Sequence, residues 1–121
     1  MEDDAILRYA LEHSLAPEHE VLASVGDGAA GVDAVNKHCP DIVLLDISMP
    51  VMNGLDAAER IAKNCPSVLI IFVTSHTSLD YVDEAFRRGA VGYVRKGRFD
   101  DLRDAIRTVL DGQHYRPCFV H

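Results

Sequence analysis

The stretch from Pro40 to Pro50 constrains this chain more than any other. An unbroken apolar run, Ile42 to Leu45, leads into one carboxylate, Asp46, and a proline follows four residues later. A strand with one wet face alternates apolar and polar residues. A continuous apolar run belongs to a strand covered on both faces, as inside a parallel sheet. Such sheets present their chemistry at the carboxyl ends of the strands, beside the connecting loops. Asp46 stands at such an end. Taken alone it is a candidate metal ligand, a candidate phosphoryl acceptor, or both, set against the commoner reading of a capping or turn acid.

The rest of the chain alternates elements around this strand. Helical spacing is expected over Ala5 to Ser14, a short strand over Glu20 to Val25, and a helix from Ala29 to His38 that stops before Cys39-Pro40. Gly54 to Lys63 forms a helix with Leu55, Ala58, Ile61 and Ala62 inward, and Val68 to Val73 is a second fully apolar strand. A helix from Ser78 to Arg88 ends at Gly89, a strand spans Gly92 to Arg95, and a last helix runs from Asp100 to Leu110 with Gly112 beyond it. Glycine just past a helical pattern is a C-terminal stop. Strands and helices alternating at this spacing predict a doubly wound α/β fold with helices on both faces.

Composition narrows the classes. The 121 residues suit one domain. Their net charge of −7 argues against nucleic-acid binding by this domain alone. An acidic N-terminus and the lack of a long apolar window predict no signal peptide and no membrane span, hence a cytoplasmic location. Cys39, Cys65 and Cys118 are widely spaced with no C-x-x-C pair, so reduced structural thiols are expected rather than a zinc site. The six histidines show no metal spacing.

Four groups fall at strand ends or helix starts: Glu2, Asp3 and Asp4 before the first helix; Asp46; Thr74 and Ser75 after the second apolar strand; and Lys96 after the last strand. In a parallel sheet these ends share one edge. Carboxylates gathered there would repel one another unless a hard cation joined them, and Mg²⁺ prefers oxygen ligands. A hydroxyl and an ammonium suit the oxygens of a phosphoryl group, and an aspartate can itself be the nucleophile that forms an acyl phosphate.

These residues together resemble the receiver domain of two-component response regulators. The resemblance rests on Glu2-Asp3 with Arg8, the run PDIVLLDISMPVMNG around Asp46, FVTS with Thr74, and GAVGYVRKG with Tyr93 and Lys96. The tail DDLRDAIRTVLDGQHY and the run AFRRGAVGYVRK look most like the LuxR/NarL-type subgroup, whose members carry a C-terminal helix-turn-helix DNA-binding domain. The resemblance implies a flavodoxin-like (CheY-like) three-layer sandwich. It implies that residues 1–112 form the receiver and 113–121 begin a linker to an output domain outside this chain. Asp46 would accept a phosphoryl group from a histidine kinase. Glu2, Asp3, Asp46 and the Ser48 backbone carbonyl would hold Mg²⁺, with Asp4 left as a helix cap. Thr74 and Lys96 would contact the phosphoryl oxygens, and Thr74 with Tyr93 would form the switch. The read-out surface would be Ser78 to Leu110, also a possible homodimer face, and DNA would be reached only through the output domain. Read without the resemblance, Tyr93 is equally a core aromatic with its hydroxyl at the surface.

Two departures bear on this reading. Gly97 stands where many receivers have proline. More important, no apolar run precedes Glu2-Asp3, so the first strand is expected to be truncated or absent. That strand would lie between those at Glu20–Val25 and Ile42–Asp46. A chain start downstream of it is the expected cause, with closing-up of the two flanking strands or a strand from a partner as alternatives. Two other functions stay in view. An Asp-nucleophile hydrolase needs a second acid two residues on, where this chain has Ser48. A pseudo-receiver would serve as a phosphorylation-independent interaction module.

Overall fold

Side-chain alternation along the strands sorts the core into two layers, one on each side of a parallel sheet. The computed structural model describes residues 21–23, 32–33, 35–37, 39–45, 54–74, 78–95 and 99–116. Four strands pair in chain order, β1 (Val21–Ala23), β2 (Ile42–Leu45), β3 (Leu69–Thr74) and β4 (Gly92–Arg95), every pair parallel. Between them lie α1 (Gly54–Asn64) and α2 (Leu79–Arg87), and α3 (Phe99–Leu110) follows β4. Residues 32–33 and 35–37 are also helical.

Successive strand residues face opposite sides. Val43, Leu45, Ile70, Phe72 and Tyr93 pack on one face with Val32 and Val35, with Leu55, Ala57, Ala58 and Ile61 of α1, and with Val82 and Ala85 of α2. Ile42, Leu44, Ile71, Val73 and Val94 pack on the other face with Leu102, Ala105, Ile106 and Val109 of α3. Both faces of β2 are therefore covered, and all four of its residues are buried. This is the CheY-like layered arrangement that the resemblance implies. The strand order accounts for the distribution: strands added in one direction by right-handed crossovers put their connecting segments on one face, leaving the other to the helix after the last strand.

Helix ends follow from local chemistry. The Ser78 hydroxyl caps α2 by accepting from the Asp80 N–H. At its far end Gly89 takes φ +118°, its N–H donates to the Phe86 carbonyl, and the Ala90 N–H donates to the Ala85 carbonyl. Together these bonds make a Schellman cap. The same pair of bonds recurs after α3, with Gly112 at φ +84° donating to Val109 and Gln113 donating to Thr108.

One arrangement departs from the family pattern. β1 pairs directly with β2, in the register Val21↔Ile42, Leu22↔Val43 and Ala23↔Leu44. Among the described residues no strand lies between them. The expected helix from Ala5 to Ser14 lies outside the described residues.

Candidate functional site

Register brings the carboxyl ends of β2, β3 and β4 to one edge. Leu45 pairs with Phe72, and Phe72 with Tyr93, so these three form a row across the sheet. Thr74, which ends β3, pairs with Arg95, which ends β4. Asp46 follows Leu45 in sequence and Lys96 follows Arg95. Asp46, Lys96, Glu2, Asp3, Asp4 and Ser48 all lie outside the described residues, as do Arg8, Ser75 and Gly97.

Thr74 and Tyr93 are described, and both are fully buried. Thr74 is two residues beyond Phe72 on the same strand, so it faces the α1–α2 side, as Tyr93 does. Phe72 and Tyr93 have ring centroids 6.2 Å apart and tilted by 45°, within the range of favourable aromatic pairs. Tyr93 is thus an inward residue, not a core aromatic with a wet tip. The site edge carries a buried hydroxyl-bearing residue flanked by an aromatic row.

Behind this edge, charge fastens the helices that leave it. Arg88, just past α2, donates from Nε to Glu84 Oε2 at 2.7 Å and from a terminal nitrogen to Asp56 Oδ1 of α1 at 2.6 Å, with Glu59 3.6 Å away. The Arg88 hydrogen bond holds the Glu84 carboxyl below its ordinary range, against some burial, and the charges of Arg87 and Arg88 act in the same direction. Glu84 also pairs with Arg87. This hub was not legible beforehand, because its members come from two separate helices.

The segment after α3 packs against α2 and the start of β4. The Tyr115 N–H donates to the Val91 carbonyl at 2.8 Å, and the Tyr93 N–H donates to the Tyr115 carbonyl at 3.1 Å. Tyr115 thus bridges Gly92 in parallel. His114 stacks on Phe86 at 5.6 Å, and Arg116 lies 4.8 Å over the same ring while pairing with Asp83 at 2.9 Å.

Among the described residues no group of three or more His, Cys, Asp or Glu side chains is placed to hold a metal ion. The donors named from sequence are carboxylates and one carbonyl. That oxygen-only set matches the preference of Mg²⁺. Also among the described residues, no helix is long and apolar enough to cross a membrane.

Comparison with known proteins gives concordant matches. The family profile described as response regulator receiver domain matches residues 1–107. The transcriptional regulatory protein DegU of Brevibacillus brevis is 34% identical over 125 residues, covering 100% of this chain and 53% of that protein. A crystal structure of a LuxR-family two-component response regulator from Aurantimonas sp. SI85-9A1 superposes with a TM-score of 0.76 at 27% identity, covering 93% of this chain and 83% of that one. The signal receiver domain of the putative response regulator NarL from Mycobacterium tuberculosis gives a TM-score of 0.71 at 28% identity, with 90% and 84% covered. The chain spans about half the length of the curated relatives it matches.

Proposed function

The chain belongs to the response regulator receiver domain family, and from that premise we propose that Asp46 is its phosphoryl acceptor. The observation that carries the proposal is the shared edge. β2 stops at Leu45, one residue before Asp46, and the neighbouring strand ends there in fully buried Thr74, opposite the residue before Lys96. Adjacent strands lie about 4.8 Å apart. The ends of β2 and β4 are therefore separated by roughly 10 Å, a gap that a lysine side chain and a phosphoryl group span together.

In the proposed reaction an Asp46 carboxylate oxygen attacks phosphorus. The P–O bond forms as the P–N bond of the kinase's phosphohistidine breaks, leaving an acyl phosphate and a free histidine. Lys96 and the Thr74 hydroxyl meet the charge on the phosphoryl oxygens. Glu2, Asp3, Asp46 and the Ser48 carbonyl would hold Mg²⁺, which supplies further charge neutralisation when bound. Phosphorylation adds about −1.5 to −2 charges. Drawing Thr74 toward that charge biases the row that includes Tyr93, and the inward, fully buried setting of Tyr93 supports its role as the switch.

Further assignments rest on the same reading. Residues 1–112 act as the receiver, and 113–121 lead toward an output domain, DNA-binding as in LuxR-type relatives. The receiver answers to a histidine kinase, acts as a switch rather than as an enzyme on outside substrates, and works in the cytoplasm. The face from Ser78 to Leu110 is the surface that changes, and it can also pair two copies. Residues 114–116 already lie on it, so a dimer through this face includes them.

The test is phosphorylation by a small phosphodonor with Mg²⁺, followed by intact-mass measurement. One added phosphoryl group is expected, absent in Asp46→Asn. An unmodified chain under every condition would instead support a pseudo-receiver, and sustained turnover of phosphate esters would support a hydrolase.

A further inference from the structure

The chain contains a short internal echo. Lys37-His38-Cys39-Pro40 leads into β2, and Lys63-Asn64-Cys65-Pro66 leads into β3. Both cysteines close a last helical turn in the same way: the Cys39 N–H donates to the Val35 carbonyl at 2.6 Å, and the Cys65 N–H donates to the Ile61 carbonyl at 2.8 Å. Because β2 and β3 are sheet neighbours, the two turns lie side by side, joined by a bond from the Leu69 N–H to the Asp41 carbonyl at 2.9 Å. The sulfurs, 26 residues apart in sequence, are 2.6 Å apart in space. Cys65 is buried, with its sulfur also directed at the Val35 carbonyl, while Cys39 is exposed.

We propose that Cys39 and Cys65 are a redox modification site, a dithiol that closes to a reversible disulfide across the amino edge of the sheet. This edge is opposite the one bearing Thr74, and the proposal does not depend on the phosphoacceptor reading. The co-reactant is a low-molecular-weight disulfide. The exposed Cys39 sulfur, as thiolate, attacks one sulfur of the oxidant and expels the first thiolate. Cys65 gives its proton to solvent and attacks Cys39, expelling the second. The protein loses two protons and two electrons, and the oxidant becomes two thiols. Contact with Cys39, then burial, raises the Cys65 pKa, so Cys65 suits the second, resolving step better than the first. In reducing surroundings the pair stays as thiols, closing when oxidant appears.

The whole chain should be tested as wild type and as Cys118→Ser, which removes the third thiol. Each is exposed to oxidised glutathione, alkylated, weighed intact and mapped by peptide. Expected is a loss of two hydrogens, no alkylation at Cys39 or Cys65, and one cross-linked peptide containing both, all reversed by a dithiol reductant. The oxidised form should melt roughly 10 °C higher, because the link closes a long loop in the unfolded chain. Cys39→Ser leaves the buried partner in place and should abolish this shift. Glutathione retained on Cys39, alkylation of both thiols, a disulfide-linked dimer, or the same shift in Cys39→Ser would each overturn the proposal.

Discussion

Thr74 and Tyr93 sit on neighbouring strands, face the same layer and are both closed to solvent, the placement that the proposed switch requires. Replacing Thr74 with valine keeps the shape and removes the hydroxyl. A hydrogen bond to a charged group contributes about 1.5–3 kcal/mol, so phosphorylation by a small phosphodonor is expected to slow by roughly ten- to a hundred-fold. An unchanged rate would remove Thr74 from the site. Tyr93→Ala empties a fully buried position and is expected to cost about 3–5 kcal/mol in urea unfolding; a cost below about 1 kcal/mol would mean that the ring is not packed as described. The sequence left the setting of Tyr93 undecided, because a strand pattern gives the face but not the depth. The cysteines were harder still. Each reads as an isolated thiol before a proline, and only the pairing of β2 with β3 brings them together.

At the scale of elements, the two C-terminal caps offer a controlled comparison. A Cβ added at Gly89 would meet the Ala62 Cβ of α1 at 2.9 Å, whereas one at Gly112 would meet nothing within 4 Å. Both glycines have positive φ, which costs an L-residue roughly 1–2 kcal/mol. Gly112→Ala should lose about that much, and Gly89→Ala should lose a further 1 kcal/mol or more through overpacking. Equal losses, read by urea unfolding, would mean that α1 and α2 separate freely at this joint. The Arg88 hub predicts a pH dependence. Glu84 has a lowered pKa in the fold, so its contribution is present above the unfolded carboxyl value of about 4.3 and is lost as pH falls through the folded value. Unfolding midpoints at pH 7 and near pH 3 should therefore differ more in the wild type than in Glu84→Gln; identical differences would dismiss the pair. From Ile42 onward the helices and strands were legible to within a residue, because glycine stops, the Ser78 cap and apolar runs are local signals. The hub was not, since it needs the packing of α1 on α2.

For the whole molecule, the layered α/β architecture was readable from alternation alone, and the two apolar runs did become the central strands. Neighbour relations were less readable. An unbroken apolar run says that a strand is covered on both faces but not which strand lies beside it, and the direct pairing of β1 with β2 was only one of several possibilities. Buried backbone groups must find partners, and β1 and β2 find them in each other. The segment after α3 taught a similar lesson. Tyr115, expected in the linker, makes backbone bonds with Val91 and with Tyr93, the proposed switch residue.

The central claim is that the carboxylate following β2 takes the phosphoryl group. Its most direct test is chemical mapping of the phosphorylated chain. Borohydride reduces an acyl phosphate but leaves a free carboxylate untouched. After phosphodonor treatment and reduction, peptide sequencing should find homoserine at position 46 and aspartate at every other acidic position. Unaltered Asp46 in a chain that has gained a phosphoryl group would contradict the account.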